Sequence, residues 1–278
     1  MVQARRRAKP HIAAEEAAGR GPRGRRGMKM LVGMVATFLC ALANASAAEH
    51  PSCDISEYLV IGNNDLKRVS AVVKDDHRLR VAVVGTGSSA LAGPNGPTSA
   101  YPARLEAVLK QRLPGTEVKV VPLVRSRQTA EDMAKGMEKL VAVEKPDLVV
   151  WQTGTIDAIR GIEPEEFRSA LDEGIEVLQN SGADVILMNM QYSPRTDMMV
   201  ALGPYADTMR VVAQQREVPL FDRLSIMHHW ADTGAFDLFA TGKDNVLASQ
   251  VHDCIAHGMA AMILDGAHLR GSEQKIAQ

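Results

Sequence analysis

The chain has 278 residues, with 32 Lys and Arg against 33 Asp and Glu and a formal net charge of −1. Nine of the basic and two of the acidic residues fall in residues 1–47, so residues 48–278 keep 23 basic against 31 acidic side chains, a charge of −8. An acidic body without a basic patch excludes nucleic acid and anionic lipid as expected partners, and its length suits one domain with a sizeable core.

Residues 5–30 carry Arg5, Arg6, Arg7, Lys9, Arg20, Arg23, Arg25, Arg26 and Lys29; the 13-residue apolar run Leu31–Ala43 and then Ala45-Ser46-Ala47 follow. A basic region, an apolar stretch and a small-residue cleavage site are the layout of a secretory signal peptide. Thirteen apolar residues fall short of the roughly 20 that span a bilayer. The expectation is a basic leader and signal peptide over 1–47, and a single mature domain over 48–278 in the periplasm or outside the cell. No membrane span is expected after cleavage. Arg25-Arg26 allows twin-arginine export, and Met28 or Met30 would begin a signal peptide of ordinary length.

Cys53 and Cys254 are the cysteines of the mature part. In an oxidising compartment such a pair predicts a disulfide, here tying the N-terminal segment to the last helix. Closing so long a loop contributes about 4–5 kcal/mol in the chain-entropy model. Two separate buried thiols are the alternative. The spacing does not suit a metal site, and none is expected.

After a lead-in at about 50–78, strands and helices alternate. Val81–Gly85, Val118–Pro122, Leu148–Gln152, Val185–Met190 and Val218–Phe221 are short, apolar and β-branched, as strands buried on both faces are. Helical patterns fall at about 100–112, 129–143, 164–179, 204–216 and 248–265. This alternation predicts a three-layer α/β/α domain, flavodoxin-like, with a parallel sheet of about five strands in the order 2-1-3-4-5.

The first strand runs into the small-residue turn Gly85-Thr-Gly-Ser-Ser-Ala90. That spacing also fits the dinucleotide fingerprint Gly-x-Gly-x-x-Ala. Against it, Pro94-Asn-Gly-Pro97 breaks the helix that should start at once, and Val121-Pro122-Leu123 ends the second strand without a ribose-binding acid. Dinucleotide binding is the minor alternative, and no cofactor is expected.

Read together, residues 80–265 resemble an SGNH/GDSL-type hydrolase. Gly87-Ser88-Ser89, with Gly93 a few residues on, resembles the first block, Gly-Asp-Ser-Leu. The resemblance implies Ser89 as the nucleophile and Ser88 in place of the usual Asp. Tyr101-Pro-Ala-Arg-Leu-Glu resembles the first helix of some members, which an amphipathic helix with Pro near its start also explains. In the second block, Gln128-Thr129 fits, but Arg127 stands where a Gly lends its backbone N–H to the oxyanion hole. The implied hole is therefore the Ser89 and Arg127 N–H groups. A left-handed backbone at Arg127 would cost about 1–2 kcal/mol.

Gly154-Thr155-Ile156-Asp157 resembles Gly-Thr-Asn-Asp, with Ile156 replacing the Asn donor. Loss of one such donor costs about 3–4 kcal/mol in the transition state. The last block, Asp-x-x-His, falls on Asp244-Asn245-Val246-Leu247, so Leu247 replaces the base. Asp244 would be a remnant of the dyad, and His252, five residues on, the least poor substitute base. His228 and His229 lie in Phe221–Trp230, which resembles a family helix. Ser88, Asp157, Tyr192 and Arg195 are expected to line the cleft.

Two functions follow. One is an exported serine ester hydrolase acting on envelope acyl or acetyl esters of carbohydrate or lipid. The other is a pseudoenzyme of the same fold that binds a small-molecule or glycan ester, or serves as an envelope accessory protein. Serine without a base is a poor nucleophile, and the parts of such a site act as a unit. Chemistry therefore favours the second.

Overall fold

A computed structural model describes Cys53, Ile55 and residues 60–61, 65–240 and 245–269. Residues 1–47, where a leader and signal peptide are expected, and Asp244 lie outside the described residues.

Six strands form one sheet: β1 (Val60–Ile61), β2 (Arg78–Gly85), β3 (Glu117–Val124), β4 (Leu148–Gln152), β5 (Asp184–Met188) and β6 (Leu220–Phe221). Their order is β1-β6-β5-β4-β2-β3, with β2 to β6 parallel. These are the five predicted strands in the predicted order. The sheet gains one strand that the sequence reading left in the lead-in: β1 pairs antiparallel with β6, Val60 opposite Phe221 and Ile61 opposite Leu220. Two residues are too few to show a period of two.

The helices are α1 (Lys67–Asp75), α2 (Gly96–Ser99), α3 (Tyr101–Arg112), α4 (Ala130–Ala134), α5 (Met137–Glu144), α6 (Thr155–Arg160), α7 (Pro164–Asn180), α8 (Pro194–Asp197), α9 (Gly203–Gln215), α10 (Arg223–Asp232) and α11 (Val246–Gly266). The single helix expected over 129–143 is two, because the chain breaks at Lys135-Gly136 and restarts with Gly136 as the N-cap of α5. A short 3₁₀ turn, Gly87–Ser89, follows β2.

Burial follows position in the sheet. All five residues of the central strand β4 are buried, Trp151 and Gln152 included. The edge strand β3 shows exposed Glu117 and Lys119 between buried Val118 and Val120. It also holds Pro122, which an edge tolerates because one side of its backbone needs no ladder partner. Helix α11 packs against α3, and Cys254 on α11 is disulfide-bonded to Cys53 with Cα atoms 5.0 Å apart. No helix among the described residues is long and apolar enough to cross a membrane.

At the end of the sheet opposite the turn, Asp147 is fully buried. Its Oδ1 accepts from Arg68 Nε at 3.0 Å, and its Oδ2 from Arg78 Nη1 and the Arg80 backbone N–H, each at 3.0 Å. Both arginines are partly exposed and can return to water; the Arg80 N–H cannot. Asp147→Ala is expected to lower stability by about 2 kcal/mol. The check is a lower urea midpoint at unchanged slope, with Asp147→Asn recovering part of the loss.

Candidate functional site

Strand β2 delivers the turn to the carboxyl end of the sheet. There Thr86 donates its backbone N–H (3.0 Å) and its hydroxyl (3.2 Å) to Gln152 Oε1 at the end of β4. Ser89 Oγ donates to the same oxygen at 3.0 Å and lies 3.3 Å from Tyr101 Oη. With the Ser89 proton on Gln152, the Tyr101 hydroxyl is the donor to Ser89. Ser89 is 1% exposed. Gly85 makes this inward fold possible, since a Cβ there would stand 2.6 Å from Ser89 Oγ. Burial pushes the Tyr101 phenol up to about 12, so it stays neutral.

His252 is 4% exposed on α11, and its Nδ1 accepts the Tyr101 backbone N–H at 2.9 Å. The neutral ring therefore carries its proton on Nε2. Burial, and then the charge of Arg223, push its pKa down to about 3. Among the described residues, no hydrogen bond joins His252 to Ser88 or Ser89.

Gly87 and Ser88 face outward, into two adjoining clefts of about 330 Å³ and 300 Å³ that also share Gln191. Arg127, Thr155 and Ile156 line the first. Tyr192, Arg223, Leu247 and His252 line the second. Of the degenerate positions, Arg127 and Ile156 thus lie in the first cleft and Leu247 in the second. Ser88 and Tyr192 line the cleft, Tyr192 with its ring centroid 3.7 Å from that of His228. Asp157 does not: it is 1% exposed and turned into the fold, where its Oδ1 accepts the Ala130 N–H at 2.9 Å. Burial raises its pKa. Arg195 lies exposed on α8.

Arg127 adopts a positive φ of 65°, the left-handed conformation that favours glycine, and its carbonyl accepts from Arg160 Nη2 at 2.9 Å. Gly154, at φ 101°, keeps the glycine of its block: a Cβ there would stand 2.5 Å from Met190 Sδ. Thr129 closes a capping box with Asp132 at the start of α4, so that residue of the block has a structural role.

Sequence reasoning missed Arg223. It is 0% exposed, and donates from Nη1 to Ser88 O (3.1 Å) and Oγ (3.4 Å) and from Nη2 to Gln191 Oε1 (3.0 Å). Its Nε has no partner. The neighbouring carboxylate, Asp222, is taken by Arg210, whose Nη2 lies 2.7 Å from Asp222 Oδ2. No ion pair to Arg223 occurs among the described residues. Burial pushes its pKa down to about 10, which leaves it charged at neutral pH. An arginine at the first position of a helix gives no signal of this in the sequence. No group of described His, Cys, Asp or Glu residues could hold a metal ion.

Two stability effects follow. Arg127→Gly is expected to raise stability by a few tenths to about 1 kcal/mol, strain relief exceeding the entropy of glycine, whereas Arg127→Ala brings no gain. The unfolded chain protonates His252 near pH 6.5 and the folded chain near pH 3, so this histidine removes stability as the pH falls between them. The expected loss is about 2 kcal/mol by pH 5. His252→Gln, compared with the parent in urea at pH 7 and pH 5, should lose less over that interval.

A model of the Non-GDSL lipase-like family matches residues 52–269. An arylesterase from Vibrio mimicus is 29% identical over 109 residues, 39% of this chain and 54% of that protein, so the match spans about half of the relative's length. Among solved structures, the lipase/acylhydrolase from Enterococcus faecalis superposes with a TM-score of 0.52 at 21% identity, over 68% of this chain and 96% of that one. A catalytic mutant of an acetylxylan esterase from Geobacillus stearothermophilus does so with 0.54 at 17% identity, over 66% and 94%. Those structures share the esterase and lipase-like SGNH fold with this chain. The family match begins just before Cys53 and ends at Leu269, beyond α11, taking in the whole sheet and both clefts: the chain belongs to the Non-GDSL lipase-like family.

Proposed function

We propose that this chain is a binding member of its family. Its cleft holds an acyl or acetyl ester, or the glycan that carries one, without cleaving it by a serine–histidine route, and it serves as an accessory protein of the cell envelope. The observation that carries this reading is the destination of two groups that catalysis would need free. The Ser89 proton goes to Gln152 Oε1, and the basic nitrogen of His252 holds the Tyr101 N–H. General-base activation requires an unprotonated nitrogen facing the hydroxyl and a pKa near the working pH. Nε2 carries a proton and the ring's pKa is about 3.

Three further features support it. Leu247 lines the cleft where the base is expected. Ile156 lines it where the amide donor is expected. Arg127 stands, with a positive φ of 65°, where the glycine of the oxyanion hole is expected. The envelope location rests on the signal-peptide layout of residues 1–47 and on the Cys53–Cys254 bridge, which persists in oxidising compartments.

The second reading, an exported ester hydrolase, is favoured by the likeness to an arylesterase and by the Ser88 hydroxyl in the cleft. A fluorophosphonate probe with peptide mapping separates the two, run beside a p-nitrophenyl acetate assay. The folded, disulfide-bonded chain is expected to show no adduct at Ser88 or Ser89, and no turnover above that of Ser89→Ala and Ser88→Ala. An adduct at either serine, with turnover lost in the matching alanine variant, would establish the hydrolase instead.

A further inference from the structure

We propose that the part of the cleft walled by Arg223 binds the carboxylate of a small amphipathic acid, with the acid's apolar body lying along Leu91, Met227, Leu238 and Leu247. The inference goes beyond the ester reading above, its ligand being a free acid, and rests on it for the use of the cleft in binding.

Among the described residues, no opposite charge balances Arg223. Arg223 is 0% exposed, yet its partners are all neutral: the Ser88 carbonyl and hydroxyl and the Gln191 amide oxygen. A buried cation is ordinarily paired, because desolvation is costly without an opposite charge. Tyr101, which also stands near, stays a neutral phenol. The counter-charge is therefore absent from the described protein and is open to a ligand.

The hydrogen-bond inventory points the same way. A guanidinium has five N–H groups. Two of Arg223's serve Ser88 and one serves Gln191, while Nε is buried without a partner. Because Ser88 Oγ accepts from Arg223, its own proton is free to donate. Gln191, with its oxygen turned to Arg223, has its amide NH₂ for the cleft. His252 accepts at Nδ1, so it offers a donor at Nε2. Ser88, Gln191, His252 and Arg223 all line this cleft. One end of it is thus built of donors around a cation, the environment that a planar carboxylate fits with charge-assisted hydrogen bonds.

The rest of the wall selects against a bare inorganic ion. Its larger apolar side chains are those of Leu91, Tyr192, Met227, Leu238, Leu247 and Val251. Leu247, at the position expected of the base, presents an apolar surface to the ligand's body. A cleft of about 300 Å³, at roughly 30 Å³ for each water-sized group, holds on the order of ten non-hydrogen atoms. That is the size of a six- to eight-carbon acid.

The experiment is calorimetric titration of the full disulfide-bonded chain with hexanoate, hexan-1-ol and inorganic phosphate. Hexanoate is expected to bind at least tenfold more tightly than hexan-1-ol, and phosphate is expected not to displace it. Leu238→Trp narrows the cleft from a loop without touching the charge, and is expected to weaken hexanoate at least tenfold. Arg223→Gln, where it folds, should bring acid and alcohol to equal affinity. Equal binding of acid and alcohol by the parent chain overturns the proposal. So does hexanoate binding that Leu238→Trp leaves unchanged, or displacement of hexanoate by phosphate at matching concentration. If the chain hydrolyses p-nitrophenyl acetate with hexanoate as a competitive inhibitor, the non-catalytic reading falls and the carboxylate site stands. Absence of both turnover and hexanoate binding removes the carboxylate site alone.

Discussion

Gln152 is fully buried where β4 ends, and its single carbonyl oxygen takes the Thr86 N–H, the Thr86 hydroxyl and the Ser89 hydroxyl. The orientation of that amide is dictated by the Thr86 N–H, which can only donate; the Gln152 NH₂ is left buried without a partner. The turn after β2 is thereby drawn against its neighbouring strand. Ser89 is carried inward with it, and Gly87 and Ser88 become the surface that the clefts share. The Ser88 carbonyl, pushed to the rim, is then in position to receive Arg223. A different residue at position 152 would free the turn and change which serine meets solvent.

The fold spends its buried carboxylates on itself. Asp147 joins Arg78 and Arg80 of β2 to Arg68 of α1, Asp157 holds the start of α4, and Asp222 pairs with Arg210 while accepting from Asn189 Nδ2 at 2.6 Å. Asp157 and Asp222 are committed in this way beside the segments that line the site, and the cleft is left with donors in excess of acceptors. Positive charge at Arg223 and a depressed basicity at His252 are two sides of the same arrangement, since burial and the guanidinium both disfavour the imidazolium.

Strand identity and order were legible because β2, β4 and β5 are buried on both faces and so read as unbroken apolar runs between Gly and Pro. The positions where the family pattern is broken, Arg127, Ile156 and Leu247, were legible for a related reason: the blocks sit at strand ends or open the last helix, where spacing maps directly onto space. Which way a side chain turns was not. Asp157 reads as a cleft residue until the Ala130 N–H is seen to claim it, and Ser89 reads as presented until Gln152 is seen to hold it. Arg223 was invisible because its meaning lies in having no acidic partner among the described residues, and nearness in the chain to Asp222 gives the opposite impression. The helix break at Lys135-Gly136 was signalled by a glycine inside a helical pattern.

The bridge joins Cys53 to Cys254, 201 positions apart in the sequence. All six strands and the clefts lie on that closed circuit. One backbone scission anywhere on it opens the ring without releasing a piece, so both portions remain tethered at high effective concentration. A protease that nicks a surface loop, such as the one bearing the exposed Met198 and Met199, would leave a two-chain molecule that only a thiol could part.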